Sequence, residues 1–188
     1  FDRTSEPFGG DRRKPDGRIF VMHKHDATNL HYDFRLEIDG VLKSWAIPKG
    51  PSTDPGKKRM AIATEDHPLE YANFEGVIPE DQYGGGVIMV WDAGTYSNLK
   101  KDQRDKDGKS VSEAYKSGKV TVWLEGKKLS GGYALIQTKR GGGKQWMMIK
   151  MKDEKADARR KPTSTENKSV LSGRTMDQIK AEENEKAK

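Results

Sequence analysis

The run His31-Tyr32-Asp33-Phe34-Arg35-Leu36-Glu37 alternates charged with apolar side chains. Successive side chains of a β-strand leave on opposite faces. Read as a strand, the run gathers His31, Asp33, Arg35 and Glu37 on one face and Leu30, Tyr32, Phe34, Leu36 and Ile38 on the other. The first face has the makings of a site. An imidazole and a carboxylate two positions apart can share a divalent cation, and a guanidinium beside them can hold the anion that the cation polarises. The pattern points to metal-assisted phosphate chemistry.

His25 lies six residues before His31, where a backbone bend brings it beside His31 and Asp33. Two imidazoles and a carboxylate with open coordination positions suit Mn²⁺, Fe²⁺ or Zn²⁺. The plainer alternative, surface histidines paired with nearby acids, fits less well because the apolar opposite face fixes the strand's orientation. His23 shares parity with His25 and is either a second layer behind the cation or merely exposed.

Arg59, Glu65 and His67 share odd parity, so a strand through them aims all three one way, and small Ala61 and Ala63 between them leave room for a cavity. His67, with an unperturbed pKa near neutrality, suits a phosphoryl oxygen or protonation of a leaving alkoxide. Its bland alternative is a strand-end histidine before Pro68. Glu65 is placed to orient His67 or Arg59, and Tyr71 by itself reads as core. Lys49 sits in the rigid turn Pro48-Lys49-Gly50-Pro51 as a candidate phosphate contact, and Lys57, Lys58 and Arg59 form a basic cluster of the kind that meets backbone phosphates. Gly84-Gly85-Gly86 lacks the Lys, Ser or Thr and the helix that a phosphate loop needs, and is not read as one.

Positioning these groups calls for strands nearly throughout. Period-two patterning predicts them over about 19–25, 29–38, 41–47, 59–67, 86–92, 119–125, 131–139 and 144–152. Asp39-Gly40 predicts a two-residue hairpin, since that turn needs positive φ at both positions. Eight short strands with Gly-rich joints predict a mainly β fold, a small closed or nearly closed antiparallel barrel with a polar interior and minor helical segments. Residues 1–18 read as an N-terminal arm, 19–152 as the barrel and 153–188 as a charged, loosely held tail that only Val170, Leu171, Met176 and Ile179 could anchor. Lys100 to Gly118 reads as a long hairpin excursion with a weak helical stretch near Val111 to Lys116.

The length, 188 residues, suits one domain with a tail. The formal charge of +6 favours a polyanionic partner, weakly when taken alone. Absence of cysteine removes disulfides, thiolate zinc sites and cysteine nucleophiles, leaving His, Asp and Glu to hold any metal. No apolar run approaches the roughly 18 residues of a spanning helix, and no signal segment opens the chain, so a soluble, cytoplasmic protein without a membrane partner is expected.

Phe20 to Gly86 resembles the 3′-phosphoesterase domain found at the N-terminus of bacterial DNA ligase D and as free-standing bacterial and archaeal proteins. The likeness rests on His25-Asp26-Ala27, Leu30 to Glu37, Leu42-Lys43-Ser44-Trp45-Ala46-Ile47-Pro48-Lys49-Gly50-Pro51 and Ala63-Thr64-Glu65-Asp66-His67-Pro68-Leu69-Glu70-Tyr71. It continues through Phe74-Glu75-Gly76 and Ile78-Pro79-Glu80 to Tyr83-Gly84-Gly85-Gly86. The resemblance implies a manganese-dependent end-healing enzyme, with Co²⁺ or Zn²⁺ as other candidate metals. Its substrates would be DNA primer-template 3′ ends. A phosphodiesterase step would remove a terminal ribonucleoside, and a phosphomonoesterase step would turn the resulting 3′-phosphate into 3′-OH. The family's metal ligands fall on His25, His31 and Asp33, its phosphate contacts on Arg35, Lys49, Arg59 and His67, and further active-site residues on Glu65 and Tyr71. A separate DNA ligase and polymerase are the partners it implies. Phe1 to Pro7, with Glu6 matched, resembles the end of a family segment tied to ribonucleoside removal.

Two readings from other classes stand beside it. A His-x-Asp pair with a distant histidine also suits a non-haem iron oxygenase on a β-barrel, and a basic barrel can bind single strands without chemistry. Both leave Arg35, Arg59 and His67 without a role.

Overall fold

The structure is a computed structural model that describes residues 18–79, 81, 85–100, 103–105 and 108–186. Most of the expected arm, with Glu6 and the Phe1 to Pro7 flank, lies outside them, as do Glu80, Tyr83 and Gly84. Among the described residues there are ten antiparallel strands: β1 (Arg18–Asp26), β2 (Leu30–Ile38), β3 (Val41–Ile47), β4 (Lys58–His67), β5 (Gly76–Ile78), β6 (Gly86–Lys100), β7 (Gln103–Asp105), β8 (Lys119–Gly126), β9 (Ser130–Gln137) and β10 (Gln145–Lys150), eight from the alternating segments and two, β5 and β7, short additions. Eight of them close a barrel in the order β1, β2, β3, β4, β10, β9, β8, β6, with β6 pairing back onto β1. The mainly β, closed antiparallel architecture is as expected. Asp39 and Gly40 carry φ of 55° and 80°, and Ile38 stands opposite Val41, so the predicted hairpin sets the β2–β3 register.

The lumen corrects one expectation. Phe34, Trp45 and Ala63 face one another across β2, β3 and β4, Ala61 faces Trp146, and Leu135 faces Val120. With Phe20, Met22, Met89, Trp91 and Leu124 they belong to one buried apolar cluster supplied by all eight ring strands. Such a cluster can only fill the interior, so the lumen is apolar rather than polar. An eight-stranded barrel is just wide enough for its own side chains to fill, and Trp45, Trp91, Tyr133 and Trp146 take that space. Ala61 and Ala63 therefore make room for indole rings, not for a substrate cavity. The alternation along β2 is as read, but its charged face lies outside the ring. A second apolar cluster, including Val21, Leu42, Tyr71, Phe74 and Val90, covers part of that outer face.

Each end of the barrel is closed by chain that its charge had marked as peripheral. At the end holding the β2–β3 hairpin, α1 (Gly108–Ser117) buries Val111 and stacks Tyr115 on Trp146 with ring centroids 5.7 Å apart. The segment after residue 152, expected to be loosely held, packs at the opposite end. Trp91 Nε1 donates to the Glu166 carbonyl at 2.7 Å, Thr53 Oγ1 donates to that of Asp157 at 2.7 Å, and Arg174 pairs with Glu75 at 3.2 Å. The chain passes through the short α2 (Pro162–Thr165) and ends in α3 (Met176–Lys186), whose Ile179 is fully buried in the main core. Few apolar residues suffice when one of them enters a preformed core. Ile179→Ala is expected to lower unfolding stability by about 2–4 kcal/mol, as cavity-forming substitutions do, with urea denaturation as the check. A change below about 0.5 kcal/mol, the range of surface substitutions, would show that the tail contributes nothing to the fold. Among the described residues no helix is long and apolar enough to cross a membrane.

Candidate metal centre

The outer face of the β1–β2–β3 sheet is laid out by pairing. His25 stands opposite His31, His23 opposite Asp33, Asp33 opposite Ala46, and Arg35 opposite Ser44. Cross-strand partners share a face, so the two outer histidines, the carboxylate and the guanidinium form adjoining rows. Each of His25, His31 and Asp33 offers a ligand atom within 4.8 Å of the others. His25 Nδ1 lies 3.4 Å from Asp33 Oδ2, and His31 Nε2 lies 3.3 Å from Asp33 Oδ1. The His31 side chain is the most open of the three, at 23% exposure against 9% and 8%.

The tautomers show what this cluster is built to hold. His25 Nε2 is 2.9 Å from the Gly85 carbonyl, and His31 Nδ1 is 3.0 Å from that of Asn29. A carbonyl only accepts, so each contact places that ring's proton on the outer nitrogen and turns a lone pair toward Asp33. Two imidazole lone pairs and a carboxylate facing one another need a proton or a cation between them. The donor set therefore fits a divalent transition ion. Burial works against the charge on Asp33, but hydrogen bonds that either histidine donates once a proton fills the gap, together with the charge of Arg35, outweigh it and hold the carboxyl well below its usual range. The bond to Asp33 raises His31 above the ordinary imidazole value despite burial.

Behind the cluster Arg35 is fixed on every side. Its Nε donates to His23 Nδ1 at 3.1 Å, its Nη1 donates to Ser44 Oγ at 2.8 Å, and its Nη2 lies 3.4 Å from Asp33. Its guanidinium also rests 5.1 Å from the centroid of the Tyr71 ring. His23 is fully buried and therefore supports Arg35 from behind, which settles the two alternatives left for it. Burial, followed by the Arg35 charge, keeps it neutral with a pKa well below the usual value. Its Nε2 carries the proton, and its ring meets Tyr71 edge-on at 5.2 Å.

His67 reaches this face through an irregularity. Leu42 stands opposite His67, whereas Ser44 stands opposite Thr64, so β4 has one residue more than β3 over that stretch. The bulge reverses parity: Arg59 and Ala61 face the lumen side, while His67 turns outward beside Arg35. The expected common orientation of Arg59, Glu65 and His67 is thus broken between Thr64 and His67. His67 Nδ1 is 2.9 Å from the Glu65 carbonyl and 3.1 Å from Arg35 Nη1. The carbonyl can only accept and the guanidinium can only donate, so the two contacts at Nδ1 favour opposite tautomers, and both hold the ring in place. Burial and the Arg35 charge lower its pKa to about 4, so the imidazole is neutral at neutral pH. Tyr71, on a 3₁₀ turn over Leu69–Asn73, packs its ring 4.7 Å from that of His67 and stacks on Phe74.

The other expected site residues are more dispersed. Glu65 is exposed and orients His67 by its backbone carbonyl, not its carboxylate. Lys49 is exposed at the turn after β3, on the sheet end that bears His31. Arg59 lines a separate cleft with Lys57 and residues of the tail. Ser44, which holds the guanidinium, had no place among the candidates. The signal was present, because an Asp39-Gly40 hairpin puts position 44 directly opposite position 35.

The outer wall of this β-barrel thus carries two histidines, a carboxylate and an anchored guanidinium, a set that fits a divalent cation beside an anion. The sequence model of the DNA ligase D 3′-phosphoesterase domain matches residues 23–137, and this chain belongs to that family. It is 46% identical over 181 residues to the multifunctional non-homologous end joining protein LigD of Pseudomonas aeruginosa, covering 94% of this chain and 20% of that protein. It is 43% identical over 152 residues to the multifunctional non-homologous end joining DNA repair protein LigD of Mycobacterium tuberculosis, covering 81% of this chain and 18% of that protein. The chain thus spans about a fifth of the length of these relatives.

Proposed function

We propose that this chain is a Mn²⁺-dependent phosphoesterase that heals DNA 3′ ends, removing a terminal ribonucleoside and then the 3′-phosphate left behind. The observation that carries the reading is the convergence of two imidazole lone pairs on Asp33, with Arg35 anchored beside them. Family membership supports DNA 3′ ends as the substrate class, and the relatives' names, non-homologous end joining proteins, support a role in that repair. A separate ligase and polymerase would take the 3′-OH product, in the cytoplasm.

His25, His31 and Asp33 would hold the cation, with Co²⁺ or Zn²⁺ as alternatives to Mn²⁺. A cation held there would supply Lewis-acid charge to the phosphate and lower the pKa of water at neutral pH. Arg35, kept immobile by His23 and Ser44, presents fixed positive charge to the phosphoryl oxygens and is not reorganised as negative charge builds. In the diester step the water oxygen bonds to phosphorus, the bond to the terminal ribonucleoside oxygen breaks, and a proton must reach that leaving alkoxide. His67 is neutral without substrate; a bound phosphate offsets the Arg35 charge and lets the imidazole accept and pass on that proton. Tyr71 and the Glu65 carbonyl hold the His67 ring in place, and Lys49 and Arg59 meet phosphates further along the strand. A water nucleophile needs fewer assumptions than attack by His67 itself.

A primer-template whose primer ends in one ribonucleotide tests this reading. With Mn²⁺ the labelled primer is expected to lose the ribonucleoside first, pass through a 3′-phosphate and end as 3′-OH. An unchanged primer would reject the diesterase step, and a persistent 3′-phosphate would reject the monoesterase step.

A further inference from the structure

At the barrel end where β3 gives way to β4, the loop after Gly50 and the tail around residues 158–164 wall a cleft of about 200 Å³. Lys57 and Arg59 enter it from the barrel, Arg160 and Lys161 from the tail, and Asp54 is the one acid in its lining. The Asp54 carboxylate already accepts the Gly56 N–H at 2.9 Å. Among the described residues no ion pair joins any of the four cations to a carboxylate. Arg59 Nε is buried without a hydrogen-bond partner. Arg59 with its unmet donor and three further unneutralised cations make an arrangement that an anion completes.

No residue of the metal cluster lines the cleft, but the strand that bears the cluster reaches the tail. A Cβ at Gly50 would stand 2.8 Å from both Thr163 of the tail and Tyr32, the neighbour of His31, so tail and site strand meet at that turn. We propose that the cleft holds a backbone phosphate of the nucleic-acid strand, distinct from the phosphate that reacts at the metal centre. This inference rests on the phosphoesterase reading and assigns the tail to substrate binding. Arg59 then serves a neighbouring phosphate, which accounts for its lying on the lumen side of β4, away from His67.

The test compares the full chain with an Arg160→Ala/Lys161→Ala variant by fluorescence anisotropy on a primer-template ending in 3′-OH, titrated over about 50–200 mM salt. The substitutions keep the Arg160 backbone carbonyl that accepts from Thr53 Oγ1 at 3.3 Å. The variant is expected to bind about tenfold more weakly, with the slope of log affinity against log salt shallower by about one to two. Its phosphate release from a nucleoside 3′-monophosphate, which cannot reach the cleft while reacting, should stay at the wild-type rate. Arg159→Ala, at a side chain 97% exposed outside the cleft lining, should change neither. Should the double variant fold poorly, Lys57→Ala probes the same cleft from the barrel side, with a slope change of about one expected. Wild-type DNA affinity and slope in these variants would overturn the inference, even if binding of inorganic phosphate were lost. So would a parallel fall in mononucleotide turnover, which would place the cleft at the reacting phosphate. If the wild-type chain released no phosphate from any substrate, the phosphoesterase reading would fail while the anisotropy comparison still decided the cleft.

Discussion

Asp33→Asn is expected to reduce phosphate release from a 3′-phosphorylated primer by well over tenfold, because it removes the charged ligand on which both imidazole lone pairs converge. Changes behind a metal ligand already cost about 10–100-fold, and loss of a ligand should exceed that range. The amide keeps the carboxylate's shape, so the β2 backbone and the apolar face of Phe34 and Leu36 are undisturbed. Arg35 loses a partner 3.4 Å away but keeps His23 and Ser44, so the variant should remain folded. Steady-state phosphate release, checked against an unchanged circular dichroism spectrum, measures the effect. Retention of more than about a tenth of the wild-type rate would remove Asp33 from the metal centre.

His67→Ala should also lose turnover, by about 10²–10⁴-fold, the range for removal of a general acid or base, but for a different reason. His67 contacts Arg35 and the Glu65 carbonyl and lies outside the His25, His31 and Asp33 group. Mn²⁺ affinity, followed by water proton relaxation, should therefore change by less than about tenfold, the lower bound for residues that support a ligand. A collapse of affinity together with turnover would make His67 a ligand and end the division between cation-holding and phosphate-handling residues.

Much of this arrangement could be read from local sequence because it depends on local rules. The alternation from Leu30 to Ile38 fixes which residues share a face, and Asp39-Gly40 fixes the register of the returning strand. Those two facts suffice to place His31, Asp33 and Arg35 together. Period-two patterning does not say which face closes inward. That depended on whether Trp45, Trp91, Tyr133 and Trp146 or the charged groups would fill an eight-stranded ring, and burial of four large rings prevailed. The bulge before His67 was equally hidden, because an extra residue in one strand is defined only by its partner. The tail's charge suggests loose attachment, and its four apolar residues a docked helix; Ile179 is that anchor, and the hydrogen bonds at Glu166 and Asp157, which composition cannot show, tie the rest to the barrel.

The most direct measurement is phosphate release from a primer ending in a 3′-phosphate, using chelator-treated protein with and without added Mn²⁺. The account predicts no release without the cation, saturable recovery as Mn²⁺ is added, and no recovery in Asp33→Asn. Release that persists in the chelator, or that no divalent cation restores, would contradict it.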